Sequence, residues 1–237
     1  MAFGSSSTMK AQQLIDHVRQ HGVRTAETGT KNGYTNLKLS TENAKLAAKL
    51  PRVHKVTIRP SKNDIPEIFV TPRTEESAKV IRELNHVLRD AVAKNFATNA
   101  SKDKKSKAPK NANLPNIRST LMNEDEDPAT FKASVFKGVK FFNEEGDQVD
   151  VETFKGLAFR KDLAFIPMVR FHTGWVSEDK TRGGLNCGLL ALAAVTANEE
   201  DKKANEEAEG DVEEDGETGE EGAPRKKSKI SYEDLVN

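Results

Sequence analysis

The stretch from Thr130 to Val195 carries the clearest alternation of apolar and polar residues in the chain. Side chains two residues apart share one face of a β-strand, so such alternation predicts strands with one buried face. Gly-rich and acidic turns interrupt the stretch at intervals typical of antiparallel neighbours. It also holds eight of the eleven Phe residues, the only Trp and the only Cys. The pattern therefore predicts a small antiparallel β-barrel or sandwich over residues 130–196.

The first strand of this segment is predicted over 131–142. Its odd positions are almost all apolar and are expected to face the core. Its even positions include Lys132, Phe136, Lys140 and Phe142. Cations neutralise phosphates and aromatic rings stack on bases, so this mixture is typical of a groove that binds single-stranded nucleic acid. The alternative is that an outward Phe packs under a helix of the N-terminal region.

Three further strands are predicted after this one. Residues 148–154 should return along the first strand after the turn at 144–147. Residues 163–176 alternate and contain Pro167, which has no amide donor and so indicates an edge or a bulge. Residues 185–195 are apolar on both faces and fit either a central strand or a buried helix, and the glycines around them favour the strand.

Residues 9–96 predict a small α/β region. The elements are a helix over 9–21, a loop over 23–33, a strand over 34–39, a helix over 42–50, a hairpin of strands 53–58 and 65–70, and a helix over 74–96. The last helix carries an apolar stripe at helical spacing, which is typical of a core-facing helix. The sequence leaves open whether this region is a separate domain or packs on the barrel.

Three polar segments should not fold on their own. Residues 1–8 are predicted to be disordered, and residues 97–129 to be a basic flexible linker. Its lysines are Lys102, Lys104, Lys105, Lys107 and Lys110. The linker is either a solvated connection or an arm that contacts phosphates and becomes ordered on binding.

The third segment is a disordered acidic tail, residues 197–237. It holds fifteen acidic and six basic residues, whereas the whole chain has no net charge. The rest of the chain is therefore basic, which suggests a polyanionic partner and a tail that competes for the same surface. The alternative is a tail that only aids solubility. A short basic cluster within the tail matches a nuclear import signal: Arg225, Lys226, Lys227 and Lys229.

Catalysis and cofactor binding find little support in the sequence. Cys187 and His172 lack a placed third group, and Cys187 lies in an apolar strand, so we expect a small core residue. The glycines at 183, 184 and 188 lack the Lys-Ser/Thr of a phosphate loop. A single Cys fits a reducing compartment, and no apolar run approaches the ~20 residues that span a bilayer. We predict an intracellular, non-enzymatic protein with no cofactor, no metal and no membrane partner.

One part of this pattern resembles a known family. The run Phe165-Ile166-Pro167-Met168-Val169-Arg170-Phe171, then Gly174-Trp175-Val176, a polar turn, Gly184-Leu185 and the apolar run to Val195 are similar to the core of the single-stranded DNA-binding proteins of large nucleocytoplasmic DNA viruses. The resemblance implies an OB-fold with an acidic C-terminal tail and binding of single-stranded DNA without catalysis.

The sequence thus predicts an α+β protein with a C-terminal OB-like barrel that binds single-stranded DNA in replication, recombination or repair, in the nucleus or at a viral replication site. Replication proteins are expected partners of the tail. The predicted contact residues are Lys132, Phe136, Lys137, Lys140, Phe142, Arg160, Lys161, Arg170 and Trp175. The alternative is a viral structural or assembly protein that uses the β segment for protein contacts.

Overall fold

The structure is a computed structural model, and it describes residues 8–42, 44–60, 65–72, 74–102, 114–122, 130–199 and 236. In this part of the chain, the strands are β1 (Met9–Lys10), β2 (Arg24–Lys31), β3 (Tyr34–Ser40), β4 (Ala47–Lys49), β5 (Lys55–Arg59), β6 (Glu67–Thr71), β7 (Asn116–Arg118), β8 (Leu121–Met122), β9 (Thr130–Ser134), β10 (Lys140–Phe142), β11 (Gln148–Val149), β12 (Leu163–Ser177) and β13 (Arg182–Thr196). The helices are α1 (Ala11–His21), α2 (Glu75–Lys102) and α3 (Val151–Leu157).

The long hairpin of β12 and β13 is the centre of the sheet. The other edge of β12 pairs with β3 and β4, both antiparallel. The other edge of β13 pairs in parallel with β7, β9 and β10. The strand order β1-β4-β12-β13-β9-β6-β5 describes an open, mixed sheet. The predicted α+β class is confirmed, whereas the purely antiparallel pairing is wrong because β13 receives three parallel neighbours.

The N-terminal region and the C-terminal segment share this sheet. β3 and β4 pair with β12, and β6 pairs with β9. The core that they enclose includes Leu14 and Ile15 of α1, Leu84 of α2, and Phe165 and Phe171 of β12, all almost inaccessible to solvent. The question that the sequence left open is answered, since the N-terminal strands complete the sheet around the hairpin.

Several predicted elements are confirmed. The helix predicted over 9–21 is α1, and Gly22 ends it with a φ of 68°, in the left-handed region that glycine tolerates. The helix predicted over 74–96 is α2, which continues to Lys102. The predicted hairpin is β5–β6, and the strands predicted over 163–176 and 185–195 lie within β12 and β13.

The predicted loop over 23–33 is wrong, since residues 24–31 form β2. Asn32 and Gly33 have φ values of 54° and 75°, and Lys31 pairs directly with Tyr34. This is a two-residue hairpin turn of the kind that Asn-Gly favours, because both residues adopt positive φ readily. The Asn-Gly pair was therefore a signal for a hairpin.

The predicted helix over 42–50 is also wrong. Leu46, Ala47, Ala48 and Leu50 are all buried, so the segment has no exposed helical face. Ala47–Lys49 form β4, which lies between β12 and β1. Pairing on both edges outweighs the helix propensity of the Ala, Leu and Lys residues, because a helix of so few residues is marginal without packing of its own.

Two elements of the C-terminal segment differ from the prediction. The predicted strand over 148–154 is shortened to β11, and α3 follows because the Asp150 side chain accepts a hydrogen bond from the amide of Thr153 at 2.7 Å and so caps the helix. The predicted strand over 131–142 is divided into β9 and β10. The turn between them contains Gly138, whose φ is 93°.

Two short strands, β7 and β8, lie inside the segment predicted to be a flexible linker. They form because Ile117 and Leu121 are buried in the core. The basic residues Lys104, Lys105, Lys107 and Lys110 lie outside the described residues, as does the side chain of Lys102. No helix in the described part of the chain is both long and apolar enough to cross a membrane.

Candidate nucleic-acid interface

The β12–β13 hairpin has an inner face on the core and an outer face away from it. Phe171, Cys187 and Leu189 belong to the core cluster. Neighbours of these residues point the other way because side chains alternate along a strand, and a register shift between Phe171 and Thr173 places both His172 and Thr173 on that side. We define the outer face by its residues on the two strands: Arg170, His172, Thr173, Trp175, Gly184, Asn186 and Gly188.

Two aromatic side chains lie directly over glycines of β13. A Cβ at Gly184 would lie 2.5 Å from Nε1 of Trp175, and a Cβ at Gly188 would lie 3.0 Å from the ring of Phe136. These distances are too short for any other residue to replace the glycine without a shift. The two rings therefore occupy the space that side chains at 184 and 188 would fill, about 13 Å apart along the strand.

A third aromatic ring extends this surface. The Tyr34 ring lies edge-on to the Trp175 ring, with centroids 5.1 Å apart, and 43% of Tyr34 is exposed. The β2–β3 turn places Tyr34 opposite Ser177 at the end of β12. Sequence reasoning missed this residue because it missed the hairpin that positions it.

Cationic side chains border the aromatic rings. Trp175 pairs with Gly184, which pairs in turn with Arg118 of β7, so these residues form one row across the sheet. Lys38 is opposite Thr173, and Arg170 is opposite Gly188. Arg118, Lys38 and Arg170 are all exposed. Arg118 and Lys38 were absent from the predicted contacts, the first because it lies in the segment taken for a linker.

A groove of about 420 Å³ opens between Trp175 and Lys132. Its size is within the range of ligand-binding clefts. One wall is held in place by the buried Asn85, whose Oδ1 accepts hydrogen bonds from the amide and hydroxyl of Thr120 at 3.0 and 2.9 Å. The groove wall is therefore fixed to helix α2.

Lys132 lies in this groove beside an acid. Its Nζ is 2.9 Å from Oε1 of Glu67 on β6, and the side chains are 40% and 25% exposed, respectively. Ion pairs this accessible to solvent contribute only ~0–1 kcal/mol to folding stability. The pair can therefore separate at little cost when a ligand enters the groove.

Four predicted contact residues share this surface, namely Lys132, Phe136, Arg170 and Trp175. Phe136 is 42% exposed, and its ring lies edge-on to His172 with centroids 6.2 Å apart. Lys137 follows it in an exposed turn. Lys140 is half-buried on β10, opposite Ala191.

Phe142 was predicted to stack on bases, and this prediction is wrong. The side chain is 5% exposed and packs in a small cluster with Met168, Ala191 and Ala193. The alternation used to place it fails because the turn at Gly138 separates β9 from β10 and resets the register.

Arg160 and Lys161 lie in the connection between α3 and β12, away from the rings. The Arg160 guanidinium forms ion pairs with Glu144 and, at 2.6 Å, with Asp162. Hydrogen bonds to these two carboxylates raise the pKa of Arg160 above its ordinary value. Trp175 is twelve residues beyond the start of β12, so the structure does not group Arg160 with the aromatic surface.

His172 and Cys187 do not form a reactive pair. Burial and the charge of Arg170 lower the pKa of His172, which favours the neutral imidazole. Burial raises the pKa of the Cys187 thiol, so the thiolate nucleophile is disfavoured. Cys187 is 6% exposed in the core, which confirms the prediction of a small core residue. Within the described ranges, no group of three His, Cys, Asp or Glu residues could hold a metal ion.

Comparisons with known proteins give limited information. No protein-family model and no curated protein matches the chain. Among solved structures, a C-terminal truncation of the single-stranded DNA-binding protein from bacteriophage Enc34 has a TM-score of 0.35 and 10% identity, covering 74% of this chain and 96% of that one. A second structure of the Enc34 protein has a TM-score of 0.34 and 12% identity, covering 74% of this chain and 92% of that one.

A third structure, of the Enc34 protein in complex with single-stranded DNA, has a TM-score of 0.33 and 10% identity, with 74% of this chain and 97% of that one covered. At these scores the likeness carries no functional weight. The predicted resemblance to the single-stranded DNA-binding proteins of large nucleocytoplasmic DNA viruses stays a prediction. The functional argument therefore depends on the chemistry of the outer face.

Proposed function

We propose that the protein binds single-stranded DNA across the outer face of the β12–β13 hairpin, without catalysis. The observation that carries this proposal is the pair of aromatic rings lying over Gly184 and Gly188. Rings on a sheet surface offer stacking platforms to bases, each worth ~1–3 kcal/mol. The cations Arg118, Lys132 and Arg170 border the same rings and supply charge for the phosphates.

In this mechanism the bases face the sheet and the phosphates follow its cationic border. One base stacks on Trp175, beside the Tyr34 ring that is nearly perpendicular to the indole, and another stacks on Phe136. Lys132 leaves Glu67 and turns to a phosphate. Stacking on a ring needs an exposed base face, which a duplex does not present, so single strands are preferred. Every base has such a face, so binding tolerates many sequences.

The experiment compares labelled single-stranded oligonucleotides with duplexes of equal length, by fluorescence anisotropy at two salt concentrations. We expect preference for the single strand and an affinity that falls with salt. Arg118→Glu should weaken binding strongly. Lys79→Glu, the same charge change at an exposed position of α2, should not. Equal, weak binding to both nucleic acids would overturn the proposal and favour the alternative of an assembly protein that uses this face for protein contacts.

We further propose that the sheet acts as an OB-like barrel. Support comes from the segment that joins β4 to β5, since Leu50 donates a backbone hydrogen bond to Pro167 and Val53 bridges Phe165. This segment brings the β5 end of the strand order alongside β12. In a small barrel the last strand of a sheet lies next to an earlier one, as β5 does here next to β12.

We also propose roles for three charged segments on the basis of their sequence: the segment 103–113, the acidic tail and the basic cluster within the tail. The segment 103–113 leads into β7, which carries Arg118, so its lysines are well placed in the chain to contact phosphates. The acidic tail competes with DNA for the outer face and recruits replication proteins when DNA displaces it. Arg225, Lys226, Lys227 and Lys229 act as a nuclear import signal. A role in viral replication, recombination or repair completes the proposal.

A further inference from the structure

The groove beside Trp175 contains a carboxylate where a phosphate-binding surface would be expected to exclude one. Of the fourteen described residues that line the groove, Glu67 is the only acid. Its neighbours there include Arg118 and Lys132, both cationic. An acid at this position lowers the affinity for a polyanion, because like charges repel across the short distances of a groove.

Folding stability does not explain the presence of Glu67. Its ion pair with Lys132 joins side chains that are 25% and 40% exposed, and such pairs contribute little. The backbone of β6 at this position pairs with Ser134 of β9 whatever the side chain. The carboxylate is therefore available for another partner whenever Lys132 moves to a phosphate.

The groove offers that partner a defined place. Trp175, Glu67 and Lys132 all line it. Two neutral polar side chains of the groove have partners of their own, since the Asn186 side-chain amide donates to Thr173 at 3.2 Å and the Ser119 hydroxyl accepts a hydrogen bond from Asn85 at 2.9 Å. Glu67 is the one carboxylate among the described residues that line the groove together with Trp175, and an ionised carboxylate is a strong hydrogen-bond acceptor.

We propose that the groove is a base-reading site in which Glu67 accepts a hydrogen bond from the exocyclic amino group of a nucleobase stacked against Trp175, while Lys132 takes the adjacent phosphate. This inference rests on the proposed binding of single-stranded DNA and adds a base preference to it. Carboxylates accept from the amino group of cytosine, whereas the carbonyl at the same position of uracil repels them. The site therefore favours bases that carry an amino group.

The test compares oligo-deoxycytidine with oligo-deoxyuridine of equal length by fluorescence anisotropy, using the full chain. The two bases differ at the amino or carbonyl group and its neighbouring ring nitrogen, but not in ring size. We expect tighter binding of the cytidine strand by about fivefold or more, the lower end of discrimination by one base contact. A ratio near one in the unmodified protein would overturn this inference.

Glu67→Gln provides the residue-specific arm. An amide accepts from cytosine and donates to uracil, so the ratio should fall to about one, with the uridine strand gaining most. Glu76→Gln, which removes the same charge at an exposed position of α2, should leave the ratio unchanged. A ratio unaltered in Glu67→Gln would overturn the inference. Binding to neither strand would overturn the proposed function itself, and circular dichroism would establish that each variant is folded.

Discussion

The Trp175 indole lies so close to Gly184 that a Cβ there would lie 2.5 Å from Nε1 and 2.7 Å from Cε2. Gly184→Ala should therefore displace the indole, lowering the free energy of unfolding by ~1–3 kcal/mol and weakening oligonucleotide binding. Trp175 fluorescence, chemical denaturation and anisotropy measure the three effects.

The matched control for this substitution is Gly156→Ala. Gly156 lies in α3, and a Cβ there would meet no atom within 4 Å. Alanine in a helix is favoured over glycine by ~1 kcal/mol, so this variant should be slightly more stable and bind normally. Unchanged indole fluorescence in Gly184→Ala would contradict the close contact.

Phe136 and Phe142 should separate binding from stability. Phe136→Ala removes a ring that is 42% exposed, so we expect a loss of ~1–3 kcal/mol in binding with little change in unfolding. Phe142→Ala empties a buried site and should cost ~3–5 kcal/mol of folding stability. Denaturation and anisotropy on both variants, with the 86% exposed Phe159→Ala as reference, measure the difference. Normal binding by Phe136→Ala would remove it from the interface.

Arg118 should set part of the salt dependence. For single strands, each neutralised phosphate contributes about 0.7 to the slope of log affinity against log salt. Arg118→Ala should lower that slope by about this amount, because it removes one cation beside Trp175 and Gly184. Lys79→Ala on α2 should leave the slope unchanged. Titrations over a salt series give both slopes, and equal slopes would place Arg118 away from the phosphates.

Asp179 should make stability fall in acid. The Ser177 hydroxyl and the amide and hydroxyl of Thr181 hold the pKa of Asp179 down to about 2. A carboxyl with a lowered folded pKa adds stability above its unfolded pKa of about 3.8, and that stability is lost as pH falls through the folded pKa. Between about pH 4 and 2, Asp179→Asn should therefore lose less stability than the unmodified protein. An equal fall in the free energy of unfolding of the two proteins between about pH 4 and 2 would contradict the prediction.

Removal of the acidic tail should strengthen binding. A variant that ends at Glu199 loses fourteen of the fifteen acidic residues of the tail, which we propose to compete for the outer face. Its affinity for single-stranded DNA should rise, most clearly at low salt, where electrostatic competition is least screened. A variant that keeps the tail but replaces Arg225, Lys226, Lys227 and Lys229 by Gln is the control and should not bind more tightly. Unchanged affinity on truncation would reduce the tail to a solubilising segment.

The sequence predicted most reliably the elements whose pattern depends on local repetition. Leu14, Ile15 and Val18 mark one face of α1 at helical spacing, and the long alternation of β12 marks a strand. Such patterns predict the element correctly because many residues of a long helix or strand repeat the same periodicity on its buried face. Short elements had no such redundancy, so β4, with three residues, was predicted as a helix.

The candidate site was only partly predictable because it is assembled across strands. Lys132, Phe136, Arg170 and Trp175 were found by composition and alternation. Arg118, Lys38 and Tyr34 were missed, since their places depend on pairing with β13 and β12. Register between distant strands is a tertiary property that a single sequence does not reveal. Phe142 was misplaced for a local reason, since the turn at Gly138 interrupts the alternation between β9 and β10.

The central position of the β12–β13 hairpin has a consequence for synthesis of the protein. β3, β4 and β9 each need a partner strand that lies after residue 162. Until the ribosome has released those residues, pairs such as β2–β3, β5–β6 and β6–β9 can form, but the edges that β12 and β13 later cover stay unpaired. Contacts of such long sequence separation make folding slow, and the waiting strands expose unpaired edges. Newly made chains are therefore most open to aggregation and chaperone capture just before β13 emerges, and completion of that one strand completes the sheet.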